Sequence, residues 1–131
     1  MIEIDAMFPV IVTSDIEALK HFYEKVFGFN AVFYEPGFYL HMVSDSGVQL
    51  GFLVPGHPSQ PQFLQTLMPG DGYILSLEVK DAVKAYAEAQ RMQLDVILEL
   101  KQEDWGQLHF ILRDPAGIGV DVVEHMEGAG E

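Results

Sequence analysis

The chain contains no cysteine. That absence removes disulfides, thiolate nucleophiles and cysteine-ligated zinc together, so any metal would have to be held by histidine and carboxylates. Basic residues are scarce: 7 Lys and Arg stand against 20 Asp and Glu, a formal net charge of -13. A field of that sign repels phosphate backbones and anionic membranes, so neither nucleic acid nor a membrane is an expected partner. The same charge either keeps a small protein soluble or favours cationic ligands. No apolar run approaches the roughly 20 residues of a membrane span, and Met1-Ile-Glu-Ile-Asp-Ala lacks the basic and apolar segments of a secretory leader. The expected location is cytoplasmic.

What is abundant is core-forming material. Of the 131 residues 49% are hydrophobic, with 9 Phe, 5 Tyr and 6 Met, which is far too apolar for a disordered chain and sufficient for one packed domain. Residues 7–13 (MFPVIVT) form a strand-like run, followed by Ser14-Asp15 as a helix N-cap and the periodic set Ile16, Leu19, Phe22, Tyr23 and Val26, closing near Gly28. Residues 73–79 (YILSLEV) lead in the same way through Lys80-Asp81 into a helix carrying Ala82, Val83, Tyr86 and Ala89.

The repetition continues. "FYLHMVSDSGVQLGFL" (38–53) and "LHFILRDPAGIGVDVV" (108–123) both read as strand, Asp-containing Gly turn, strand. Matching Asp15 to Asp81 sets an offset of 66 (81 − 15) and pairs Phe8 with Ile74; matching Gly47 to Gly117 sets 70 (117 − 47) and pairs Gly51 with Asp121. Extra strands near 30–34 and 96–101 make each half βαβββ. Residues 54–71 hold four prolines and two glycines before the second half begins and read as a surface linker. The expected fold is therefore α+β: one domain over 1–131, made of two βαβββ modules (about 1–53 and 72–125) that curl mixed sheets into a half-barrel cup with helices on the outer face.

"VIVTSDIEALKHFYEKVFGF" (10–29) resembles the opening of the vicinal oxygen chelate superfamily, which includes glyoxalase I, bleomycin-resistance proteins and extradiol dioxygenases. "WGQLHFILRDPAGIGVDVVE" (105–124) is similar to its closing segment. The resemblance implies four metal positions, on the first and last strand of each half, which here fall on Phe8, Gly51, Ile74 and Asp121. Chelating members resemble His, Glu, His and Glu at these places, and this chain keeps one carboxylate. A metal needs several converging N or O donors, so no metal and no cofactor are expected, which is closest in character to the bleomycin-resistance branch. That branch also implies a homodimer.

Strand alternation chooses the cup-facing side chains. An Asp45-Ser46-Gly47 turn places Gly51 opposite His41 and Leu53 opposite Tyr39, with Gln49 on the same face and the uniformly apolar Leu40, Met42, Leu50 and Phe52 on the other. In the last hairpin, Arg113 opposite Ile118 places Asp121 opposite Phe110 and turns both inward, with His109 outward and structural. Phe8, Val10, Ile74 and Ser76 complete the lining, and Trp105 stands at the mouth or packs as a flap. Phe8, Phe33, Tyr39, Phe110 and Trp105 offer aromatic faces suited to planar or cationic ligands, or plain core.

Three functions stay open. The first is metal-independent binding of a bulky aromatic or cationic compound by Phe8, Val10, Tyr39, His41, Gln49 and Gly51 together with Ile74, Ser76, Trp105, Phe110 and Asp121. The second is a glyoxalase- or dioxygenase-type lyase or oxidoreductase with a displaced metal or a His41/Asp121 acid–base pair. The third is a dimeric interaction module without a ligand.

Overall fold

The computed structural model describes residues 1–126. The chain forms two compact units, Met1–Pro69 and a second beginning at Gly70. Of residues 54–71, read from the sequence as a linker, 54–69 belong to the first unit.

The first unit runs β1 (Val10–Val12), α1 (Ile16–Phe27), β2 (Asn30–Glu35), β3 (Tyr39–Val43) and β4 (Gln49–Leu53). Its sheet has the order β1-β4-β3-β2, with β1 parallel to β4 and the other neighbours antiparallel. Asp15 caps α1 by accepting from Ala18 N at 3.1 Å, and Gly28 ends it in the left-handed conformation at φ 69°. The apolar stripe of α1 meets the apolar face of the sheet: Leu19, Tyr23, Leu40, Met42 and Phe52 are each fully buried, and the Tyr23 and Phe52 rings stack at 5.6 Å. The register is the expected one, His41 opposite Gly51 and Tyr39 opposite Leu53.

Beyond β4 the chain folds back on its own sheet. Val54 N donates to Phe38 O at 2.8 Å and Met68 N to Val12 O at 2.9 Å, which covers part of the β1 edge. Between them lies one 3-10 turn, Gln62–Leu64. The Gln65 amide organises this strap, donating to His57 O at 3.1 Å and Gln60 O at 3.0 Å and accepting from Gly56 N.

The second unit repeats the plan with β5 (Ile74–Glu78), α2 (Ala82–Arg91), β6 (Val96–Glu103), β7 (Gln107–Arg113) and β8 (Gly119–His125), in the order β5-β8-β7-β6. Asp81 caps α2 through Lys84 N at 3.0 Å. Glu124 reaches from β8 to accept from Ala82 N at 2.9 Å, holding the helix start to the sheet. The architecture is thus α+β, with two four-stranded mixed sheets and one helix in each unit.

One register differs from expectation. Arg113 pairs with Gly119, not Ile118, so Asp121 faces Ile111 and shares its side of the sheet with His109, while Phe110 pairs with Val122 on the opposite side. Phe110 is 1% exposed and meets Tyr86 of α2 edge-on at 5.1 Å; it is core and not lining. The cause is the turn. Asp114 N donates to Ile118 O at 2.9 Å, and Asp114 Oδ1 accepts from Ala116 N and Ile118 N at 2.9 and 3.0 Å. Ser44 does the same in the first hairpin, its N donating to Val48 O at 2.9 Å and its Oγ accepting from Val48 N at 3.0 Å. An Asp in place of a Ser builds the same closing pair, and the two hairpins match residue for residue.

Candidate functional site

In the first unit, α1 covers one face of the sheet and leaves Tyr39, His41, Gln49, Gly51 and Leu53 on the other. Three of these form a chain of hydrogen bonds. Gln49 Oε1 can only accept, so His41 Nε2 carries a proton and donates to it at 2.8 Å. With that proton on Nε2, Nδ1 is left to accept a hydrogen bond from the Tyr39 hydroxyl, also 2.8 Å away. Phe8 lies edge-on to the same imidazole at 4.6 Å. Burial pushes the Tyr39 phenol above its ordinary value of 10.0, so it keeps its proton.

Gly51 makes room for this arrangement. A Cβ built there would overlap the Tyr39 hydroxyl and stand 3.0 Å from Tyr39 Cζ. Beside the chain lies an apolar hollow of about 310 Å³, lined by Val10, Tyr39 and Leu53 of the sheet, Phe38 before β3, and Gln60 and Leu64 of the strap. None of the six lining residues is charged. Phe38, Gln60 and Leu64 were not singled out from the sequence. The strap positions depend on a fold-back that no local pattern announces.

The second unit carries a different group on the corresponding face. His109 Nδ1 donates to Asp121 Oδ1 at 2.7 Å and Nε2 donates to Glu103 Oε2 at 2.8 Å. The three side chains are 9%, 13% and 11% exposed. Both partners can only accept, so the ring is protonated on both nitrogens. Burial pulls the His109 pKa down, but hydrogen bonds to Glu103 and Asp121 outweigh it and the net shift is upward. The hydrogen bond from His109 lowers the Glu103 pKa, burial opposes this, and Lys101 Nζ at 3.2 Å adds to the lowering.

The positions expected to line a site are therefore divided. Val10, Tyr39, His41, Gln49 and Gly51 come together on one sheet face, with Phe8 against His41. In the second unit Ser76 pairs with Asp121 and Ile74 with Gly119. Trp105 stands 57% exposed at the β6–β7 turn, its indole N–H donating to Gln107 Oε1 at 3.0 Å. Phe110 is excluded, and its place beside Asp121 passes to Ile111 and His109. His109 and Glu103 were missed through the one-residue slip. The 70-residue offset between the hairpins, applied to the His41–Gly51 pair, would have put Ile111 opposite Asp121 and turned His109 inward.

Residues 5–122 match the model of the glyoxalase/bleomycin resistance protein/dioxygenase superfamily, and the chain belongs to it. A glyoxalase/bleomycin resistance protein/dioxygenase from Nocardioides is similar, with TM-score 0.79, 18% identity, and coverage of 98% of this chain and 88% of that one. TioX from Micromonospora sp. ML1 has TM-score 0.73 and 16% identity over 93% of this chain and 99% of its own. A lactoylglutathione lyase from Agrobacterium tumefaciens has TM-score 0.73 and 20% identity, covering 92% of each chain. At these identities the likeness is one of fold alone. No curated protein matches the sequence.

The donors that this resemblance would need for a metal are missing. Of Phe8, Gly51, Ile74 and Asp121 only the last has a side-chain donor atom, and its Oδ1 is already bonded to His109. Glu103 and Asp121 sit on opposite nitrogens of one ring and do not converge on a common point. Among the described residues no group of three or more His, Cys, Asp or Glu is placed to hold an ion.

Proposed function

We propose that this chain is a metal-independent binding protein whose ligand, a flat and largely apolar molecule, seats in the hollow of the first unit. The observation that carries the reading is the hollow itself: about 310 Å³, walled by Val10, Phe38, Tyr39, Leu53, Gln60 and Leu64, with an ordered polar chain at one side. An apolar cavity with a few placed polar groups is the usual form of a small-molecule site. The absence of charge in its walls favours a neutral aromatic over a cation, since Asp121, the carboxylate first considered as a cation anchor, is spent on His109. The acid–base alternative draws less support, because both His41 nitrogens are committed to Tyr39 and Gln49. The same reading includes a homodimer in the cytoplasm.

The test is thermal shift and calorimetric titration of the purified, metal-free chain with naphthalene-sized aromatics, beside a Leu53→Asp variant. Binding at about 100 times Kd should stabilise the chain by about 2.7 kcal/mol. Leu53→Asp should abolish the effect. Failure of every aromatic to bind, or binding only after a divalent metal is restored, would overturn the proposal; the first outcome would favour a ligand-free interaction module.

A further inference from the structure

We infer that Tyr39 presents the hollow of the first unit with a hydrogen-bond acceptor, so that the preferred ligand is a flat neutral molecule bearing an O–H or N–H donor, such as a phenol, a lactam or a secondary amide. The inference rests on the proposed function and names the ligand class for the same site.

The direction of the polar chain decides the matter. A phenol has one proton to give and lone pairs to receive with. Gln49 Oε1 forces the proton of His41 onto Nε2, which leaves Nδ1 as the acceptor and draws the Tyr39 proton to it. Tyr39 is one of the residues that wall the hollow, its oxygen then has only acceptor capacity left, and among the described residues nothing donates to it. Gly51 supports this by leaving the space the hydroxyl occupies. Burial also keeps the phenol from ionising, so the acceptor is a neutral oxygen. A ligand that only accepts would face lone pairs with lone pairs, and a buried mismatch of that kind is penalised more than a good pair is rewarded.

The direction is set remotely, which makes it reversible. A carboxylate at position 49 would keep His41 protonated on both nitrogens. Tyr39 would then receive from Nδ1–H and turn its own proton toward the ligand.

The probes are 1-naphthol and 1-methoxynaphthalene, nearly the same shape and differing in one donor. Their affinities for the full chain are measured by calorimetry, with circular dichroism checking the fold of each variant. In the wild type the ratio should favour naphthol, and Tyr39→Phe should reduce that ratio by about threefold to tenfold while the ether still binds. Gln49→Glu should push the ratio past the Tyr39→Phe value, toward the ether, a change that a purely space-filling role for Gln49 would not produce. Binding of both probes with a ratio untouched by Tyr39→Phe and Gln49→Glu would overturn the inference and leave the proposed function standing. Binding of neither would remove both.

Discussion

His109 and Asp121 form an ion pair between neighbouring strands, Nδ1 to Oδ1 at 2.7 Å, in the second unit. The first unit has its own histidine-centred chain, but there His41 sits between a phenol and an amide, and neither of those partners is a carboxylate. The two repeats have thus diverged in the polarity of their helix-free faces. One carries a charged group locked by its own partners, and the other an uncharged hollow. The locked group makes structural sense of the one carboxylate that the sequence places among valines, and it predicts where mutations act.

Asp121→Asn should cost stability and leave aromatic binding intact. An amide replaces one charged partner of a mostly buried imidazolium, so a loss of about 1 to 3 kcal/mol is expected. The fall in urea midpoint measures it. A selective loss of cationic ligands in this variant, with neutral ones unchanged, would restore Asp121 as a ligand anchor.

The same group sets a pH profile. His109 titrates above its ordinary value of 6.5 in the folded chain, so its stabilisation is complete below that pH and is lost as pH rises through the raised folded value. Glu103 titrates below its ordinary 4.5, so its contribution is present above that pH and is lost as pH falls through the lowered value. The difference in stability between the wild type and His109→Gln should therefore be greatest between about pH 4.5 and 6.5 and shrink on either side. Urea titrations across the range would show it, and a pH-independent difference would mean that folding leaves the His109 pKa unshifted.

Gly51→Ala tests the close approach to Tyr39. The added methyl overlaps the hydroxyl, and a cost of about 1 to 3 kcal/mol with loss of ligand binding is expected. Combining it with Tyr39→Phe, which removes the overlapping oxygen, should cost less than the sum of the two single changes. Additive costs in that double-mutant cycle would show that the two residues do not compete for the same space.

Gln93→Gly should stabilise the chain. The helix α1 ends on Gly28 at φ 69°, whereas α2 is followed by Gln93 at φ 56°, where a side chain crowds the backbone. Relief of about 0.5 to 1 kcal/mol is expected, less what the freer glycine adds to the unfolded chain. A higher denaturation midpoint with unchanged ligand affinity is the outcome to look for.

Much of the architecture lay in local pattern. Asp15 and Asp81 before apolar helical stripes, Gly28 after the first, and the alternation of Leu40, Met42, Leu50 and Phe52 determined which elements form and which face of the first sheet is core, because capping and side-chain periodicity act between near neighbours. Tyr39, His41, Gln49 and Gly51 were legible as one face for the same reason. The register of the last hairpin was also set locally, by turn bonds that the residue types alone did not announce, and tertiary structure decided the strap. The bonds of Asp114 to Ala116 and Ile118 moved the last hairpin by one residue, and in a strand one residue exchanges the faces, so Phe110 went to the core and His109 met Asp121. The strap that brings Gln60 and Leu64 over the sheet depends on contacts such as Met68 N to Val12 O, between residues distant in the chain, whose geometry no local propensity encodes.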